Sequence, residues 1–126
     1  MTVSPAVCWL CKGLAFPWNA DAFEIDKYAV TVSKRNFPVI VHHGNVYDGD
    51  FTQFKGYDLL LGGSPCTYWS IAKKDREVDC NGEGFRLFKE YVRALEESGC
   101  KYFLYENNYS VHQNIKDEIT RVLGVE

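Results

Sequence analysis

Cys66 is the residue whose type and setting point most directly to chemistry. It lies in Tyr57 to Ser70, YDLLLGGSPCTYWS. Leu59, Leu60 and Leu61 form a short apolar run without polar alternation, which is how a strand buried on both faces of a parallel sheet reads. Gly62-Gly63-Ser64-Pro65 then turns the backbone sharply out of that strand. In open α/β sheets ligands bind where strands end, so a thiol there is a candidate nucleophile. A half-buried cysteine in a tight turn, with no chemical role, is the competing reading of this window. Three carboxylates occupy comparable positions. Glu24 ends an apolar segment and could accept from ribose hydroxyls, or be a solvated strand end. Asp50 follows a turn-rich loop and could rim the same crevice, or cap a turn. Glu106 ends KYFLY at Lys101 to Tyr105 and opens the polar cluster Glu106-Asn107-Asn108.

The elements that must position these groups follow from pattern. Ala22 to Ile25 reads as a strand. Asp26 is a good N-cap for a helix over Lys27 to Arg35, with Tyr28, Ala29 and Val32 on its apolar face. Val39 to Val41 is a β-branched strand, and Leu59 to Leu61 and Lys101 to Tyr105 are two more. Phe85, Phe88, Val92 and Leu95 give one stripe on a helix that begins near Gly82 and stops at Gly99. Ile115, Ile119, Val122 and Leu123 mark a last helix. Ala72 to Asn81 is charged and reads as a mobile surface loop of lid or binding type. This alternation predicts α/β with a mainly parallel sheet. Right-handed crossovers would bring Glu24, Asp50, Cys66 and Glu106 to one carboxyl edge.

Composition narrows the function classes. The chain has 126 residues, 46% of them hydrophobic and 25% charged, as expected for one globular domain. The net charge of −3 argues against a free-standing nucleic-acid binder held by phosphate contacts alone. No apolar run could span a membrane and no signal peptide opens the chain, so a cytoplasmic protein with no membrane partner is expected. Five cysteines without a secretion signal suggest free thiols. Cys8 and Cys11 form a single CxxC with no partner pair at zinc-finger spacing, so no metal is expected. A thiol-redox role for that pair lacks the flanking strand and helix.

Several motifs together resemble one family. GGSPCTYWS is similar to the nucleophile motif of DNA (cytosine-5)-methyltransferases. Phe23 to Ala29 (FEIDKYA), Gly49 to Gln53 (GDFTQ), Phe85 to Phe88 (FRLF) and Tyr105 to Asn108 (YENN) resemble further motifs of that family, in order and spacing. The resemblance runs from about Ala22 to Glu126. It implies a partial Rossmann-like methyltransferase sheet with helices on both faces, S-adenosylmethionine as cofactor, and double-stranded DNA with a flipped cytosine as partner. It implies Cys66 as nucleophile, Glu106 as the acid raised in pKa by burial, and Pro65 and Asn107 shaping the pocket. It also implies Glu24 on the cofactor ribose, Ile25 on the adenine, Asp50 on the adenine amino group and Leu87 lining the cleft. The family's Phe-x-Gly-x-Gly opening, its Gln-x-Arg-x-Arg segment and its closing helix have no counterpart here.

The chain is therefore expected to be an incomplete catalytic-domain fragment of bacterial or phage type. Residues 1–19 would be an atypical N-terminal segment and residues 20–126 the methyltransferase core. It is expected to be inactive alone, with a second chain supplying the missing motifs. The alternative is a non-catalytic interaction protein or gene remnant that keeps the α/β scaffold. Loss of the family's central first strand would leave two unpaired edges inside the sheet. Ala6 to Leu10 is expected to fill that gap, antiparallel because no crossover helix is available; the alternative is a partner chain that brings the missing strand.

Overall fold

A computed structural model of the chain describes residues 8–13 and 19–125. Five strands form one sheet: β1 (Cys8–Lys12), β2 (Asn19–Phe23), β3 (Ile40–His43), β4 (Leu59–Gly62) and β5 (Tyr102–Tyr105). The helices are α1 (Lys27–Asn36), α2 (Glu83–Ser98) and α3 (Gln113–Leu123). The strand order is β3-β2-β1-β4-β5. β2 pairs with β3, and β4 with β5, in parallel; β1 pairs with β2 and with β4 antiparallel. Four strands thus run one way and the central strand runs the other.

The reversed central strand is the filler expected from the sequence, set two residues later. Its Leu10 lies opposite both Asp21 and Leu60. Residues 6 and 7 of the expected strand lie outside the described residues. Residues 13–18 alone join β1 to β2, about half the dozen or so that a parallel crossover needs, so the pair must be antiparallel. β2 also begins earlier than its sequence pattern suggests and ends at Phe23, which puts Glu24 just beyond the strand.

Asp26 caps α1 as expected, its carboxylate accepting the Tyr28 and Ala29 N–H groups. Two 3-10 turns that the sequence pattern did not suggest, Val46–Asp48 and Phe51–Phe54, follow β3. Gly99 ends α2 in the left-handed conformation (φ 64°), where glycine carries no Cβ penalty.

The main core lies between one face of the sheet and α2, around Leu10, Phe23, Phe51, Leu60, Tyr91 and Ala94. A second cluster of Trp69, Phe85, Phe88, Val111 and Ile115 joins the segment after β4 to α2 and α3. Ala20, Ala22 and Ile40 make a small patch on the opposite face of β2 and β3. The expected stripe on α2 is wider than four residues: Phe85 and Phe88 enter the second cluster, whereas Tyr91 and Ala94 enter the first. Among the described residues no helix is long and apolar enough to cross a membrane.

Candidate functional site at the carboxyl rim of the sheet

The parallel pairing of β4 with β5 decides where the thiol and the carboxylate stand. Gly62 lies opposite Tyr105, so both chains leave the sheet at the same end. The Glu106 N–H continues the ladder by donating to the Gly62 carbonyl at 2.8 Å. A Cβ at Gly63 would sit 2.3 Å from the Glu106 carbonyl oxygen and 3.6 Å from its Oε2. Only glycine permits that approach, so the loop that carries Cys66 passes directly beneath Glu106. β2 points the same way, which brings Glu24 to this rim too.

Hydrogen bonds between segments remote in sequence hold the Cys66 loop. Buried Ser64 receives the Tyr105 hydroxyl at 2.8 Å and donates its own hydroxyl to the Gly84 carbonyl at 3.0 Å. Its N–H donates to the Tyr105 oxygen, and its carbonyl accepts the Asn107 side-chain amide at 2.8 Å. Asn107 therefore acts on the loop's backbone. Pro65 is buried and Cys66 half-buried, at the start of a 3-10 turn Cys66–Tyr68. The Cys66 carbonyl accepts the N–H groups of Trp69 and Ser70.

Beside this loop lies a cavity of about 200 Å³. Glu24, Ile25, Pro65 and Leu87, four residues expected from the sequence, line it with Asn45, Tyr47, Tyr68 and Glu83. Glu24 is buried, and its Oε1 accepts the Asp26 N–H at 2.7 Å. Burial pushes its carboxyl above the usual range, with the backbone N–H groups of Asp26 and Ile25 pulling the other way. Ile25 is 59% exposed, so one face of the slot is open.

Asp50 stands apart from this cavity. It lines an adjoining concavity of about 300 Å³ that shares Gly44 and Asn45 with the first. Its carboxylate caps the Phe51–Phe54 turn, accepting the Thr52 N–H and hydroxyl and the Gln53 amide. The Thr52 hydroxyl, then Gln53 and the Thr52 N–H, hold it below the ordinary carboxylate range. Glu106 is exposed, so the burial expected to raise its pKa is not supplied by these residues. The reason is positional: Glu106 is one residue past an edge strand, and its outer side is uncovered.

Some residues of the rim carried no sequence signal beyond turn composition. The Tyr47 hydroxyl donates to Glu83 at 2.6 Å and ties the wall of the cavity to the first turn of α2. Burial first, and the Glu83 carboxylate second, lift that phenol well above its ordinary value. Below the second concavity, buried Asp21 accepts from the Tyr57 hydroxyl at 2.6 Å and faces His43 Nε2 at 2.7 Å. Burial and Asp21 push the Tyr57 hydroxyl up to about 12. These residues satisfy a carboxylate inside the sheet layer.

Among the described residues Cys11, Cys66, Cys80 and Cys100 are free thiols. Burial, reinforced by Cys100, raises the Cys11 thiol, which opposes the thiolate character of a redox centre. No group of three or more His, Cys, Asp or Glu able to hold a metal occurs among the described residues.

The cavity suits the ribose and one face of a nucleoside: a buried carboxylate at a strand end beside an apolar slot. Alone it is smaller than the roughly 300–1,000 Å³ of a site for a whole drug-sized ligand; with the adjoining concavity it reaches that range.

Comparison with known proteins bears on the same residues. A family model described as C-5 cytosine-specific DNA methylase matches residues 19–123. The Type II methyltransferase M.HgiCII of Herpetosiphon aurantiacus is 34% identical over 105 residues, covering 81% of this chain and 21% of that protein. The orphan methyltransferase M.SPRI of Bacillus phage SPR is 40% identical over 88 residues, 67% of this chain and 19% of that protein. The Type II methyltransferase M.NgoPII of Neisseria gonorrhoeae is 32% identical over 109 residues, 77% of this chain and 30% of that protein. The chain thus spans about a fifth to a third of the length of these relatives.

Proposed function

Because the chain belongs to the C-5 cytosine-specific DNA methylase family, we propose that its carboxyl rim is the nucleophile and cofactor-facing part of a cytosine-5 DNA methyltransferase. The observation that carries this reading is the single rim shared by the Cys66 loop, Glu106 and the cavity of Glu24, Ile25, Pro65 and Leu87. The substrate is duplex DNA with a cytosine flipped out of the stack. The methyl donor is S-adenosylmethionine, which supplies an electrophilic methyl group when bound. Glu24 holds the donor's ribose, Ile25 packs on its adenine, Leu87 lines the cleft, and Asp50 accepts from the adenine amino group.

Cys66, as thiolate, adds to ring carbon 6 of cytosine while Glu106 protonates ring nitrogen 3. The electron pair so delivered to carbon 5 would form the new bond to the methyl group as the donor's sulfur–methyl bond breaks, that bond's electron pair staying on the sulfur. Loss of the carbon 5 proton to a solvent base would then expel the Cys66 thiolate, and ring nitrogen 3 would return its proton to Glu106. Closure by DNA would bury Glu106 and raise its pKa, the condition for a carboxylic acid to donate at neutral pH. The segments that complete the site are supplied by further chain, on this polypeptide or a second one, in a bacterial or phage cytoplasm.

The test is methyl transfer to cytosine in duplex DNA, by the chain alone and together with its neighbouring gene product. A duplex carrying 5-fluorocytosine, which cannot lose a proton at carbon 5, should trap the protein covalently. Cys66→Ala should abolish both turnover and trapping with the urea midpoint unchanged; turnover retained by that variant refutes the nucleophile assignment.

A second reading is favoured by apolar side chains left outside the core, Tyr28 and Val32 on α1 and Tyr102 and Leu104 on β5. It holds the chain to be a non-catalytic interaction scaffold. It predicts no heat of binding with the donor or its demethylated product, and an association state that changes with concentration in light scattering.

A further inference from the structure

The segment Ala72 to Asn81, which reads in the sequence as a mobile loop of lid or binding type, is tied down near its middle, and Glu77 does most of the tying. Its carboxylate accepts the Trp69 indole N–H at 3.2 Å and the Gly84 N–H at 3.0 Å on Oε2, and the Glu83 N–H at 2.9 Å on Oε1. Its own N–H donates to the Tyr68 carbonyl at 2.9 Å. Gly82, the residue before α2, offers no side chain, so Glu77 caps the helix from five residues upstream.

The two glycines are there because of this arrangement. A Cβ at Gly82 would lie 2.1 Å from the Glu77 carboxyl carbon, and one at Gly84 would lie 2.6 Å from the Trp69 indole nitrogen. Trp69 is fully buried, and its backbone N–H holds the Cys66 carbonyl. A second tie runs from Arg76, whose guanidinium donates to the Ser110 carbonyl at 2.9 Å, in the loop after Glu106.

We propose that Glu77 is a positioning residue for Cys66: it latches Trp69 to the first turn of α2 and so sets the place of the thiol on the rim. Its catalytic consequence rests on the reading of Cys66 as nucleophile; the latch itself does not. The two are tested separately. In the intact chain, iodoacetamide alkylation followed residue by residue by mass spectrometry reports the latch without any methyl transfer. Glu77→Ala should speed modification of half-buried Cys66 about tenfold and leave buried Cys100 at the wild-type rate, because only the local structure opens. Glu77→Gln, which keeps an acceptor, should stay within about threefold of wild type.

Equal acceleration of Cys66 and Cys100, or none at Cys66, overturns the latch. Should Glu77→Ala fail to fold, Gly84→Ala decides by the same ratio, since its methyl group would lie 2.6 Å from the Trp69 indole nitrogen and 2.9 Å from Glu77 Oε2 and must part the two. In a mixture competent for methyl transfer, Glu77→Ala should lower kcat about tenfold with the KM for the donor within about threefold. An unchanged kcat beside a faster Cys66 removes the catalytic role and leaves the latch. Turnover retained by Cys66→Ala removes the nucleophile reading alone.

Discussion

The half of the molecule that carries the thiol and the half that would receive the donor are built to different standards. Around Cys66, α2 buries Phe85 and Phe88, and Trp69 is sealed beneath it. Tyr105, Asn107, Glu77 and Arg76 tie the loop to three separate segments. Around Glu24, by contrast, α1 has no buried residue, and Ile25 and Tyr28 are 59% and 85% exposed. The first half has a cluster of its own, completed by Val111 and Ile115. The second has its backbone fixed by the β2–β3 pairing, but the described residues leave Ile25, Tyr28 and Val32 exposed. A loop proposed to carry a nucleophile has to hold its place, and the bonds to Ser64 and Trp69 restrain this one. The cavity proposed for the donor stays open at Ile25 among the described residues.

The contrast makes ordered predictions. Trp69→Ala should be the most damaging change, costing about 3–5 kcal/mol in urea denaturation, because it empties the centre of the second cluster. A cost below about 1 kcal/mol would mean that the Cys66 half is not independently packed. Tyr105→Phe should cost about 1–3 kcal/mol, since it deprives buried Ser64 of its hydroxyl partner. Cys66 alkylation in that variant should rise as well.

Glu24→Gln should leave the urea midpoint at neutral pH unchanged or slightly raised. The buried carboxylate has a folded pKa above its ordinary 4.5, so its charge costs stability at neutral pH. That cost fades as pH falls through the raised value towards 4.5, and the difference between variant and wild type should shrink over that window. Donor binding by calorimetry should weaken about 10–100-fold in the same variant. The smallest effect is expected on the open side of α1, where Tyr28→Ser should change stability by no more than about 0.5 kcal/mol. A larger loss would show that α1 is covered in solution.

How much of this was legible in the sequence differs from residue to residue. The leucine run of β4, the Asp26 cap and the Gly99 stop are local: each is decided by side chains within a turn or two of where it acts. Glu24, Ile25 and Pro65 fall around one cavity because strand ends in a sheet of mostly one direction must share an edge, and Leu87 joins them from α2. The reversed β1 could be anticipated because a sheet cannot leave a central gap with unpaired backbone groups. Asp50 was ambiguous for a physical reason: a carboxylate beside Thr52 can serve its own turn as readily as a ligand, and here it caps the turn. Ala72 to Asn81 reads as a surface loop, and its ties through Glu77 and Arg76 were not legible because charge and lack of periodicity do not reveal a carboxylate aimed at a helix end.

The order of amino acids by itself therefore determined the elements, their alternation and the chemical groups at each strand end, since these follow from short-range patterning and from which bonds a backbone can leave unmade. Only the tertiary structure decided which of those groups meet. The Asn107 amide reaches Ser64 across 43 positions and Tyr105 reaches it across 41. Bonds of that span depend on register between strands and on the room that a missing Cβ leaves at Gly63, quantities that arise only when the chain closes on itself.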